Sequence, residues 1–277
     1  MPKYICAQCN DITEKRERPN VCEKCSCWNT FDIADEPSEI GIQFQSEPIL
    51  LDEIKSTSHK RIVTKIAPLD DVTGGGFVKG AVYLLAGEPG IGKSSLLWQV
   101  CSSIDMKVMY ASAEESAEQI KLNTDRMRVS GRHISLFNES NVDRIIQYAI
   151  KLKVKLLIVD SIQVIRTETC SSAIGSANQV RESGNALVAF AKTKGITTIV
   201  VGHITKDGDI AGPKTIEHMV DCPMKFTIAD DNENVRILKC TKNRFGSTSV
   251  RGIFEMGPNG LIPYATGQFD KIKLVQS

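Results

Sequence analysis

A strand-like run, AVYLLA, leads directly into GEPGIGKSS and then into Leu96, Leu97, Val100, Cys101 and Ile104 at helical spacing. Gly87, Gly90, Gly92, Lys93 and Ser94 satisfy G-x-x-x-x-G-K-[ST] in the strand-to-helix setting that this motif requires. A chain carrying it folds as an α/β domain with the loop at the end of a buried strand. Glycines let the backbone wrap phosphates with its N–H groups, at a helix N-terminus whose dipole favours anions. Gly87, Glu88, Pro89, Gly90, Ile91, Gly92, Lys93, Ser94 and Ser95 are therefore the expected residues around the phosphates of ATP. Lys93 supplies charge to the β and γ phosphates, and the Ser94 hydroxyl is the magnesium ligand, with Ser95 one position beyond it.

Three further runs complete the expected site. KLLIVDS ends in Asp160 at the carboxyl end of a buried parallel strand, where ligands of open α/β sheets collect, and Asp160 is the expected outer-sphere magnesium carboxylate. KVMYASAEES offers a strand ending in Glu114 and Glu115. Glu114 is the expected base that polarises the attacking water, although both carboxylates also suit the first turn of the next helix. TTIVVGH places His203 at a strand end, as a sensor of nucleotide state, with Thr205 and Lys206 behind it. KFTIAD, RILKCTK and RGIFEM then read as strands that extend the parallel sheet, with Asn259-Gly260 as a hairpin turn.

The cysteines divide into two sets. Cys6, Cys9, Cys22 and Cys25 form C-x2-C-x12-C-x2-C, two chelating pairs suited to one tetrahedral zinc ion. Cys27 competes with Cys25, but only Cys25 keeps the two-residue spacing. About 30 residues cannot bury enough core to fold unaided, so the metal is structural. Whether the knuckle touches DNA stays open, since the charges of EKRER at 14–18 are mixed and Trp28 is suited to packing beneath the metal. Cys101, Cys170, Cys222 and Cys240 are scattered and read as small buried apolar residues. Residues 30–57 turn acidic, with Pro37 and Pro48. The expected organisation is a zinc-binding knuckle over 1–29, an acidic linker over 30–57 and an ATPase domain over 58–277. The apolar cluster Ile49, Leu50, Leu51 and Ile54 within the linker is suited to docking on a neighbouring surface.

With 34 Lys and Arg against 33 Asp and Glu, a formal charge of +1 excludes a global basic field, so any nucleic-acid surface is local. No apolar run approaches a membrane span and no apolar leader opens the chain, which makes a cytoplasmic location the expectation. Arg236 to Arg251 holds five basic residues and no acid, a candidate stripe for phosphate contacts.

GEPGIGKSS, VDSIQ, GHITKDGDIAGPKTIEHMVD and KNRFG at 242–246, together with the knuckle, resemble the bacterial RadA/Sms family of DNA recombination and repair ATPases over about residues 3 to 262. A DnaB-like helicase or KaiC-like ATPase would share the phosphate loop without the knuckle and KNRFG. The resemblance implies a RecA-like core with a mostly parallel sheet and an antiparallel extension, preceded by a small zinc ribbon. It implies a hexameric ring on single-stranded or branched DNA, recombinase or helicase partners, and ATP-driven branch migration. Lys93 and Ser94 then hold nucleotide and magnesium, Glu114 is the catalytic acid and Asp160 the Walker B carboxylate. Lys242 and Arg244 correspond to basic groups that act across a subunit interface. Gly175 to Arg181 falls where such proteins place a DNA-facing loop. Family members continue into a Lon-protease-like domain, whereas this chain stops after FDKIKLVQS. The competing expectation from another class is a noncatalytic regulator, switched by nucleotide, that binds partner proteins through the knuckle.

Overall fold

The computed structural model describes residues 3–6, 9, 11–15, 19–28, 31–33, 50, 52, 61–203 and 215–264. Thr205, Lys206, the IAGPK segment and nearly all of the acidic stretch lie outside the described residues. The chain divides into two compact units, Met1–Gln45 and Ser46–Ser277.

The first unit is a three-stranded antiparallel sheet. β1 (Lys3–Cys6) sits between β2 (Ile12–Glu14) and β3 (Phe31–Ile33). β3 pairs with β1 from Tyr4↔Ile33 to Cys6↔Phe31, so the sheet of this unit reaches past residue 29 into the stretch read as linker.

The second unit begins with β4 (Arg61–Ile62), α1 (Ala67–Val72) and β5 (Phe77–Val78). Next come β6 (Val82–Gly87), α2 (Lys93–Ser103), β7 (Val108–Ser112), α3 (Ala117–Arg126), β8 (Ile134–Asn138), α4 (Val142–Lys151) and β9 (Leu156–Asp160). α5 (Ala177–Lys194), β10 (Thr197–His203), α6 (Thr215–Met219), β11 (Cys222–Ala229), β12 (Asn232–Cys240), β13 (Arg251–Gly257) and β14 (Gly260–Pro263) follow. Nine of these strands form one sheet in the order β14-β13-β12-β11-β6-β10-β9-β7-β8. From β11 to β8 all neighbours are parallel, and β12, β13 and β14 add on antiparallel.

The parallel strands are apolar on both faces because helices cover both, and every residue of β6, β7 and β9 is buried. β8 escaped the sequence reading because it is the sheet edge, with only partial burial. Tyr83, Leu85, Leu96, Leu97, Tyr110, Ile158, Val201, Phe226 and Phe254 belong to the core shared by the sheet and α2. Cys101, Cys222 and Cys240 are buried as expected, whereas Cys170 is only half-buried, in the irregular stretch before α5.

α5 corrects one expectation. The segment from Gly175 to Arg181 is a loop only at its start, because Ser176 caps the helix by accepting from the Gln179 N–H. Arg181 therefore lies on the first helical turns, where it pairs with Glu182 at 3.1 Å.

Candidate nucleotide site and cysteine centre

The site forms where the carboxyl ends of four strands meet. Register places His203 beside Gly87 and Ser112 beside Asp160, so β6, β10, β9 and β7 end along one line. This is the edge at which open α/β sheets bind ligands.

Gly87 is squeezed between strands, since a Cβ there would lie 2.7 Å from the Phe226 carbonyl. Gly92 adopts φ +109°, and a Cβ on it would meet Met256 at 2.7 Å. The β13–β14 hairpin thus fits beneath the loop. It is tied to α2 by Gln99, which donates to the Leu261 carbonyl at 2.7 Å and accepts from its N–H at 3.0 Å. Lys93 Nζ donates to the carbonyls of Gly87 and Glu88, both at 2.8 Å, and lies 3.3 Å from His203 Nδ1. Burial lowers the Lys93 pKa, while Asp160 and Glu114 oppose that shift.

Asp160 Oδ2 accepts from Ser94 Oγ at 2.9 Å and from the Tyr110 hydroxyl at 2.5 Å. Burial pushes this carboxyl upward, and the two donors work against that. Glu114 Oε1 accepts from the Ser161 hydroxyl and lies 3.1 Å from His203 Nε2. The His203 bond is the chief reason its carboxyl sits below the usual range. Glu115 shifts the other way, raised by burial and by the charges of Asp160 and Glu114.

A cleft of about 290 Å³ opens above these groups, walled by Pro89, Gly90, Gly92 and Ser95 on one side and by Asn123, Arg126 and Met127 on the other. The residues fit a nucleotide with a divalent ion. Space beside Gly90 is open, with no atom within 4 Å of a Cβ built there, and its φ of +76° is one that glycine adopts freely. A hydroxyl and a carboxylate oxygen 2.9 Å apart, Ser94 Oγ and Asp160 Oδ2, are the hard oxygen donors that magnesium takes. Glu88 and Ile91 contribute backbone alone: Glu88 is exposed, and the Ile91 side chain belongs to the core.

Lys242 and Arg244 are not in this cleft. Arg244 pairs with Asp221 at 3.0 Å, and Asp221 also accepts from the N–H of Val82 at the opposite end of β6. At about 3.3 Å per residue, five residues of strand put that end on the order of 17 Å below Gly87. Lys242 Nζ donates to the carbonyls of His218 and Val220.

The basic stripe is also not continuous. Arg236 is buried, and its guanidinium donates to the carbonyls of Ile91, at 3.0 Å, and of Glu233 and Val235. It therefore braces the phosphate loop from β12, a role that the sequence reading missed. Replacing Arg236 with Met leaves the Ile91 carbonyl unpaired and removes charged hydrogen bonds of about 1.5–3 kcal/mol each. Arg236→Met is expected to lower the melting temperature and weaken binding of a fluorescent ATP analogue, while Lys239→Met leaves that binding unchanged.

In the N-terminal unit the four Sγ atoms of Cys6, Cys9, Cys22 and Cys25 all lie within 4.8 Å of one another. The pairs Cys6–Cys25 and Cys9–Cys22 are each 3.6 Å apart. Zinc–sulfur bonds of about 2.3 Å imply a tetrahedral edge of about 3.8 Å, so the four thiols fit one zinc ion. Cys27 stands outside the set, 3.7 Å from the Cys25 carbonyl. Trp28 is 71% exposed, so it does not pack beneath the centre.

A phosphate loop at the carboxyl edge of a mostly parallel sheet, with a hydroxyl–carboxylate pair and a glutamate around it, defines a P-loop nucleoside-triphosphatase domain of the RecA-like class. The chain belongs to the AAA domain family, whose profile matches residues 47–209. It is 39% identical over 274 residues to the DNA repair protein RadA of Listeria monocytogenes, covering 95% of this chain and 59% of that protein. The RadA proteins of Bacillus subtilis and Aquifex aeolicus are 38% and 39% identical, over 94% and 93% of this chain and 58% of theirs. The resemblance to the RadA/Sms family thus extends along nearly the whole chain, which spans less than two thirds of the length of these relatives. In fold the chain is similar to a KaiC-like protein of Pyrococcus horikoshii, with a TM-score of 0.63 at 22% identity over 75% of this chain and 100% of that one. No helix among the described residues is long and apolar enough to cross a membrane.

Proposed function

We propose that this chain hydrolyses ATP in the cleft and acts on DNA in recombination and repair. The observation that carries the reading is the meeting of Lys93, Ser94, Asp160 and Glu114 in one cleft at the sheet's carboxyl edge. Backbone N–H groups of the loop bind the phosphates, and Lys93 leaves its two carbonyl partners to reach the β and γ oxygens. Ser94, with Asp160 beside it, would hold magnesium, which would supply charge neutralisation at the phosphates. Glu114 accepts the proton of the attacking water, and His203, in contact with both Glu114 and Lys93, links the base to the phosphate state. Cys6, Cys9, Cys22 and Cys25 hold a structural zinc.

Lys242 and Arg244 lie too far from their own cleft to act there, so under this reading they serve the cleft of another copy within a ring of six. Cationic groups supplied from a neighbour stabilise transition-state charge in such sites. The RadA names of the relatives, which refer to DNA repair, support DNA as the track. Branch migration and association with recombinase or helicase proteins follow from the same resemblance. The proposed domains are the knuckle at 1–29, whose sheet β3 carries on to Ile33, the linker within 30–57 and the ATPase at 58–277, in the cytoplasm.

ATP turnover measured with and without single-stranded DNA tests the reading. Stimulation is expected, falling steeply as salt rises because backbone neutralisation supplies the affinity. Turnover that DNA leaves unchanged at low salt, in protein shown to be oligomeric, would favour the nucleotide-switched regulator.

A further inference from the structure

Tyr110 is a fully buried phenol that the proposed chemistry does not use. It stands two residues before the end of β7, and its side chain crosses to the neighbouring strand, where its hydroxyl donates to Asp160 Oδ2 at 2.5 Å. Trp98, on the first turns of α2, lies flat against it, with ring centroids 4.0 Å apart and planes 13° from parallel. Trp98 also forms part of the cleft wall. The phenol is therefore fixed in its plane from one side and by its hydrogen bond at the tip, and little motion is left to it.

Two donors converge on one oxygen of Asp160, one from the phosphate loop and one from the interior. The Ser94 hydroxyl has one proton and two lone pairs, so its bond to Asp160 leaves a lone pair that would face the ion. Tyr110 is in the protein interior, on the side of Asp160 away from solvent, and its bond does not need to break. We propose that Tyr110 is the positioning residue for the magnesium carboxylate, holding Asp160 aimed at the cleft from the protein interior while Ser94 faces the ion. The inference rests on the assignment of Asp160 to magnesium.

The test is the magnesium dependence of nucleotide binding, read with a fluorescent ATP analogue titrated with Mg²⁺ from a chelated, metal-free start. Groups that orient metal ligands typically contribute 10–100-fold to metal affinity. In Tyr110→Phe, which keeps the ring and its stacking on Trp98, the Mg²⁺ midpoint is expected to rise about 10-fold or more, with metal-free nucleotide affinity as in the wild type. A midpoint equal to the wild type's overturns the proposal. Loss of metal-free binding in the same variant also overturns it, by assigning Tyr110 to the fold of the cleft. If Mg²⁺ fails to strengthen nucleotide binding in the wild type, it is the magnesium assignment of Asp160 that fails, and the two failures are thereby told apart.

Discussion

Glu114→Gln is expected to bind ATP as the wild type does and to lose about 10²–10⁴-fold in turnover, the usual contribution of a positioned general base. The substitution keeps the size and the acceptor oxygen that Ser161 and His203 contact, and removes only the ability to take a proton. Single-turnover hydrolysis alongside analogue binding separates the two effects. Glu115 is the control. It lines the same cleft, yet burial raises its pKa, and no hydrogen bond of its side chain to His203 or Ser161 holds it in place among the described residues. If Glu114→Gln hydrolyses normally and Glu115→Gln does not, the base is Glu115.

Removal of zinc should have the second large effect, confined to the first unit. Metal analysis is expected to find one zinc per chain, and Cys22→Ser to release it. Structural zinc sites in small domains are worth about 10–16 kcal/mol in apparent binding free energy. Among the described residues the buried cluster, apart from the ligands, is Tyr4, a small core to set against that energy. The N-terminal unit should unfold while the second unit, with its own core, keeps its thermal transition and its nucleotide affinity. A metal-free protein whose residues 3–28 remain protected from proteolysis would remove the zinc assignment.

The parts of the site that were legible in the sequence are those whose chemistry is local. The phosphate loop writes its geometry into eight consecutive residues, and the strand ends at Asp160, Glu114 and His203 are marked where an apolar run meets a polar residue. The four cysteines are legible for the same reason, each pair being a single turn. Tyr110 was not legible, because its role depends on β7 lying next to β9 and on which face of the strand it takes. Both follow from sheet order, which no local pattern encodes. Arg236 had a signal that was passed over: it stands three residues from Lys239, and an odd spacing on a strand puts the two on opposite faces. One of them had to turn inward, and the five basic residues never formed one stripe. Arg181 had a signal too, since Ser176 with Gln179 three residues on is a helix-start pattern.

The separation of Lys242 and Arg244 from the phosphate loop also has a bearing on symmetry. One molecule offers its cleft at one end of β6 and the KNRFG cations at the other. In a two-fold dimer each partner presents the same patch to the other, so a cleft and a cation patch at opposite ends of the strand cannot be mated by a contact centred on either one. A two-fold axis midway along the strand would mate both pairs at once and close a dimer; in the ring of six proposed above the contact is instead head-to-tail, and every copy keeps a free donor end and a free acceptor end. Such a contact has only two outcomes: the rotation closes, and all ends are used in a ring, or it does not, and the chain of copies continues as a helix.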